Sequence, residues 1–183
     1  MAITLDRPVT QTMTLDEFFS YDDGTDDRYE LVNGELVKVP TVSPLNCQIA
    51  KLLMFEFAKY LPVALICHKD IEIIVSGRRA KVRLPDLVVL SEDGLAALTG
   101  QRSNTITQEM PAPILVAEVV SPGQENRDRD YRYKRTEYAA RGIPFFYSEY
   151  DESIEKFNPD FVLKVPFDDS VIAVSYTHLR AHG

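Results

Sequence analysis

The stretch Ile114-Leu115-Val116-Ala117-Glu118-Val119-Val120-Ser121-Pro122 decides the reading of this chain. An apolar, mostly β-branched run of this length reads as a buried strand. Glu118 stands inside it. A carboxylate in a buried strand is costly unless it is paired or binds a cation. A second run, Val82-Arg83-Leu84-Pro85-Asp86-Leu87-Val88-Val89-Leu90, carries Asp86 directly after a proline. Two such strands bringing two carboxylates together suit a hard divalent ion, which takes oxygen ligands. The Val119 backbone carbonyl offers a third oxygen. A nearby lysine would complete a phosphodiester-cleaving site, and Lys134 is the candidate.

The other segments supply the frame. Thr14 before Leu15-Asp16-Glu17-Phe18-Phe19 predicts a capped short helix. Tyr29 to Val32, Asn33-Gly34, then Glu35 to Val39 predicts a hairpin with a type I′ turn. Ser43-Pro44 opens a helix with Ile49, Leu52, Leu53, Phe55, Phe57 and Leu61 on its apolar face, closed by Pro62. Residues 64–75 read as one strand, and residues 92–108 as a polar excursion containing a helix. Residues 126–141 read as a charged helix stopped by Gly142 and Pro144. Phe145-Phe146-Tyr147 is the next strand. This order predicts an α/β (or α+β) domain, a mixed sheet flanked by helices.

Composition narrows the function classes. The 183 residues suit one domain with a real core. Cys47 and Cys67 make neither a disulfide framework nor a zinc spacing, and read as small core residues in a reducing compartment. No signal peptide and no membrane span is visible, so the cytoplasm is the expected location. A net charge of -8 argues against a general high-affinity nucleic-acid binder. It leaves a nuclease open, because local charge matters more than the total. Acids crowd residues 16–27, whereas bases gather at Arg78, Arg79, Lys81 and Arg83 and again between Arg127 and Arg141.

Each candidate has a blander reading. Asp130, Lys134 and Tyr138 share a helix face, and Asp130 with Lys134 alone would be an ordinary surface pair. Asp86 alone could be a turn aspartate. Glu30 at the hairpin start could bind metal directly or through water, or could face solvent. His68 reads as an exposed strand residue, and Tyr29 and Tyr138 as core-edge aromatics with a polar tip.

The pattern Arg28-Tyr29-Glu30-Leu31-Val32-Asn33-Gly34-Glu35-Leu36, Pro85-Asp86, Val116 to Pro122 and Asp130-x-x-x-Lys134-x-x-x-Tyr138 with Gly142-Ile143-Pro144 resembles the Uma-two family. These are restriction-endonuclease-like proteins of the PD-(D/E)XK nuclease superfamily. The resemblance covers about residues 13 to 146. It implies a restriction endonuclease-like core and Mg²⁺-dependent cleavage of DNA, with Mn²⁺ as an alternative ion. It assigns metal binding to Asp86 and Glu118, with Glu30 as an accessory acid. The superfamily's lysine lies two residues after the glutamate, where this chain has Val120; here Lys134 is its relocated counterpart. A homodimer would suit cleavage of both strands of a duplex. The rival is a catalytically inactive module of the same fold that binds nucleic acid or a protein partner.

After Gly-Ile-Pro the family usually continues Glu-Tyr-Trp, whereas this chain has Phe145-Phe146-Tyr147 and no tryptophan. Residues 175–183 look like a translated sequencing adapter. The expected division is therefore a domain at 1–146 and a divergent, frame-shifted or artefactual tail at 147–183. His178 and His182 have metal-ligand spacing but belong to that tail.

Overall fold

The computed structural model describes residues 12–75, 80–101, 103–120, 133–151, 156–157, 162–164 and 171–173. Thr14 caps α1 (Leu15–Phe19) as expected. Its hydroxyl accepts from Glu17 N at 3.2 Å, and the Glu17 carboxylate accepts from Thr14 N at 2.7 Å. The hairpin of β1 (Tyr29–Val32) and β2 (Glu35–Lys38) turns at Asn33 and Gly34, with φ of 54° and 81°. Two successive positive φ values are what a type I′ turn requires.

Ser43 caps α2 (Pro44–Phe57) by accepting from Asn46 N at 3.1 Å, with Pro44 in the first turn, where its missing N–H costs nothing. The helix ends at Phe57, short of the predicted Leu61, although Leu61 still packs on the same core.

Two stretches read as single strands are each divided. Residues 64–75 form a short 3₁₀ turn (Val63–Leu65), β3 (Ile66–His68) and β4 (Glu72–Ile74). The break falls at Lys69, whose φ of 56° no strand can accommodate. The run around Asp86 splits into β5 (Ala80–Arg83) and β6 (Leu87–Val89). Pro85 has no N–H to give a ladder, so the strand breaks there. Asp86 therefore precedes β6 instead of lying within a strand.

After β6 come α3 (Glu92–Leu98), capped by the Ser91 hydroxyl, and β7 (Thr105–Ile106), within the predicted excursion. Then follow β8 (Leu115–Val120), α4 (Arg135–Ala140) and β9 (Phe145–Asp151). The predicted helix over 126–141 is described only from Tyr133, and Asp130 lies outside the described residues. The expected boundary at 146 falls within β9. Beyond it lie β10 (Lys156–Phe157), β11 (Val162–Lys164) and β12 (Val171–Ala173), whereas His178 and His182 lie outside the described residues.

The strands are dealt between two mixed five-stranded sheets. One has the order β2-β1-β5-β4-β7, with β4 and β7 parallel; the other has the order β10-β9-β8-β6-β3, with β8 and β9 parallel. β11 and β12 form a separate antiparallel pair. The chain passes repeatedly between the two large sheets, and two of these passages, from β3 to β4 and from β5 to β6, are short. Both passages lie side by side, since Lys69 N donates to Asp86 O at 3.2 Å. The β8–β9 pair is parallel, so its connection must cross over, and α4 lies in that crossover.

The second sheet is buried on both faces. Leu87, Val89, Leu115, Ala117 and Val119 pack with α2. Val88 and Val116 pack on the opposite side with Tyr138 of α4, Ile143 and Ile73 of the first sheet. Side chains alternate along a strand, so Glu118 falls in phase with Val116, on the α4 side.

Candidate active site

Strand register brings the two predicted metal acids together. β6 and β8 are antiparallel with Leu87 opposite Ala117 and Val88 opposite Val116. One further step puts Asp86 across from Glu118, and directly opposed residues share a face with Cβ atoms about 5 Å apart. The ladder ends at Leu87, and the Asp86 side chain prolongs it: Oδ2 accepts from Val119 N at 2.7 Å. Oδ1 lies 2.8 Å from the Lys69 ammonium.

Glu118 faces a second lysine. Lys134 Nζ is 3.0 Å from Glu118 Oε1 and 3.8 Å from Glu30 Oε1. The Lys134 residue is 7% exposed, so the surface-pair reading of that lysine fails. A π-helical turn at Tyr133 and Lys134 leads into α4 and puts Lys134 one turn before Tyr138. Tyr138 is fully buried, and its hydroxyl donates to Glu118 Oε1 at 3.1 Å. Burial, then the charge of Glu118, pushes its phenol well above the usual range.

Glu30 is buried and closely held, so its solvent-facing reading fails too. Oε2 accepts from Arg83 at 2.7 Å, and Oε1 accepts from Leu84 N at 3.1 Å. Burial alone would raise its pKa, but Lys134 and then Arg83 more than offset this and hold it below the ordinary carboxylate value. Arg83 also donates to Glu137 Oε2 at 2.8 Å. Burial opposes the charge of Arg83, yet Glu30 and Glu137 raise its pKa further. The chain Glu137–Arg83–Glu30 thus ties α4 to β5 and β1, with every charge paired.

Asp86, Glu118, Val119, Glu30, Lys69 and Lys134 line one cleft of about 360 Å³ between the β1–β2 hairpin, the start of α2 and the sheet junction. Among the described residues no three His, Cys, Asp or Glu side chains converge as a ready metal cage. Asp86, Glu118 and the Val119 backbone carbonyl would offer hard oxygen donors of the kind that Mg²⁺ takes before completing its shell with water and substrate oxygens. Each carboxylate now faces one lysine ammonium, so this corner already holds two positive charges opposite two negative ones. The residues fit a divalent cation.

Sequence reasoning missed Lys69, Arg83 and Glu137. Arg83 carried a usable signal, a charge inside the apolar run Val82-Arg83-Leu84, the same argument that selected Glu118. Glu137 lies three residues after Lys134 and so shares its helix face, a weaker clue. Lys69 left none. His68 is half-buried, not exposed, and its Nε2 is buried without a hydrogen-bond partner. Tyr29 points away from the site, its hydroxyl donating to Asp23 at 2.5 Å. Both cysteines are free and partly buried. No described helix is long and apolar enough to cross a membrane.

No curated protein matches the chain. A family model described as "Uma2: Putative restriction endonuclease" matches residues 15–167, which include Glu30, Asp86, Glu118 and Lys134 and continue through β11. With its mixed sheets, flanking helices and paired carboxylates at a sheet junction, the chain belongs to the Uma2 family and has a restriction endonuclease-like fold.

Proposed function

We propose that the cleft is the active site of a metal-dependent endonuclease that hydrolyses DNA phosphodiester bonds. The observation that carries this reading is the juxtaposition of Asp86, just before β6, with Glu118 of the adjacent antiparallel β8, with Lys134 on Glu118. Asp86, Glu118 and the Val119 carbonyl would hold Mg²⁺ or Mn²⁺. When bound, such an ion supplies Lewis-acid polarisation of the scissile phosphate and a lowered pKa for the attacking water.

The remaining work belongs to the chain. Val119 N fixes one Asp86 oxygen, which orients the carboxylate toward the cleft. Lys134 is buried beside Glu118, where its ammonium would face the charge developing on the phosphate. Such a preorganised charge acts strongly because little solvent screens it. Glu30 acts as a positioning acid: locked by Arg83, it is a second carboxylate holding Lys134 beside Glu118.

Supercoiled plasmid incubated with Mg²⁺ or Mn²⁺ tests the proposal. The native chain should nick or linearise it. Asp86→Ala and Lys134→Ala should each lower the rate by about 100-fold or more. Cleavage that survives Asp86→Ala would refute the assignment. A second reading, an inactive module of the same fold, draws on Val120 at the superfamily's lysine position. It predicts no cleavage in any metal by a folded protein.

A further inference from the structure

The passage between β3 and β4 has its own chemistry. Pairing of β3 with β6 ends at His68 opposite Leu87, so the next residue, Lys69, comes up against Asp86. There its backbone adopts φ of 56°, a left-handed conformation that costs a non-glycine residue roughly 1 kcal/mol or more. Two backbone contacts hold it there: Lys69 N donates to Asp86 O, and the Arg28 guanidinium donates to Lys69 O. The outcome is a lysine aimed at the one Asp86 oxygen that Val119 N leaves open.

Lys69 differs from Lys134. Its side chain is 24% exposed against 8%, and it lines the cleft on a flexible four-carbon stem. We infer that Lys69 is a second cationic residue of the site: it neutralises Asp86 while the carboxylate has no divalent ion, and turns to a phosphate oxygen of the substrate strand once an ion takes its place. This rests on the proposed metal-dependent cleavage. It adds a specific element, a cation that competes with the ion in the free protein and joins the substrate in the complex.

Two binding measurements test it without relying on turnover. Lys69→Met keeps the stem and the same backbone preference but removes the charge, and Lys69→Arg restores it. Calorimetric titration of DNA-free protein with Mn²⁺ should show Lys69→Met binding about three- to tenfold more tightly than the native chain, as expected when a partly exposed ion pair no longer competes. In Ca²⁺, a fluorescent duplex should bind Lys69→Met several-fold more weakly. The slope of log affinity against log salt should fall by about one, the mark of one lost phosphate contact. Lys69→Arg should keep the native slope.

Unchanged Mn²⁺ affinity in Lys69→Met, or an unchanged salt slope, overturns the role of Lys69 while the metal site stands. A native protein that takes up no Mn²⁺ overturns the metal site itself, and this inference with it. Should Lys69→Met melt early, Lys69→Asn, better suited to a left-handed backbone, carries the same test.

Discussion

Replacing Lys134 with methionine removes the cation that stands between Glu118 and Glu30 and keeps most of the side-chain volume. Taking one partner from a buried ion pair costs about 3–5 kcal/mol, because the other charge is left without compensation. Here both acids keep some support: Glu30 retains Arg83 and Leu84 N, and Glu118 retains the Tyr138 hydroxyl. The lower end is therefore expected, about 3 kcal/mol near neutral pH. For a chain of this size that is a fall in Tm of roughly 6–12 °C.

The pH dependence has a definite sign. In the native protein Glu30 has a depressed pKa. Its contribution to stability is complete above the unfolded value of about 4.3 and is lost as pH falls through the folded one. Lys134 is the largest of the influences that depress it, and burial is the largest opposing one. Without the lysine, burial is less fully offset and the folded pKa of Glu30 rises from its native position. The folded variant then keeps the Glu30 proton to a higher pH than the folded native chain, so its deficit shrinks as pH falls through the carboxyl range. Urea unfolding followed by circular dichroism, stepped from about pH 7 to about pH 3.5, measures this directly. A variant as stable as the native chain near neutral pH, or a deficit that stays constant across that range, would refute the argument.

Two further outcomes follow from local geometry. Tyr138→Phe keeps the ring in the core but deletes the hydroxyl that donates to Glu118, so unfolding should show a loss of about 1.5 kcal/mol, as for a hydrogen bond to a charged group; no change would mean that the bond contributes nothing. Gly34→Ala should lower stability by at least about 1 kcal/mol. Its φ is 81°, and an added Cβ would sit 2.6 Å from Thr12 Cβ. The melt should shift, and protection of the Met13 amide, which donates to Gly34 O, should fall in hydrogen exchange.

Much of the frame was legible in the chain because its signals are local. Thr14 with Glu17, Asn33-Gly34 and Ser43-Pro44 each satisfy or release backbone groups within a few residues, so each holds in any tertiary setting. The breaks at Lys69 and Pro85 were harder. Both interrupt longer runs rich in apolar residues, and the two halves of each run pair in different sheets.

The acids of the site were readable for a related reason. A glutamate inside Val116-Ala117-Glu118-Val119 violates the pattern of a buried strand, and such a violation needs a cause that sequence can announce. Lys134 was readable only through its resemblance to a family pattern, since spacing alone fits a surface pair equally well. The lysine that meets Asp86 and the Glu137–Arg83–Glu30 chain that holds the site depend on distances between residues more than fifteen positions apart.

The sequence by itself determined the caps and the hairpin turn, which acids are anomalous and which family the motifs resemble, because caps, turns and buried-strand patterns are set by neighbouring residues. The tertiary structure alone decided that the β3–β4 and β5–β6 passages between the sheets lie side by side, that Asp86 stands across from Glu118, and that each acid meets its own lysine. Those facts follow from strand register and from the packing of α4 against the sheet. Both are fixed by the burial of many side chains at once, and no single stretch of the chain records them.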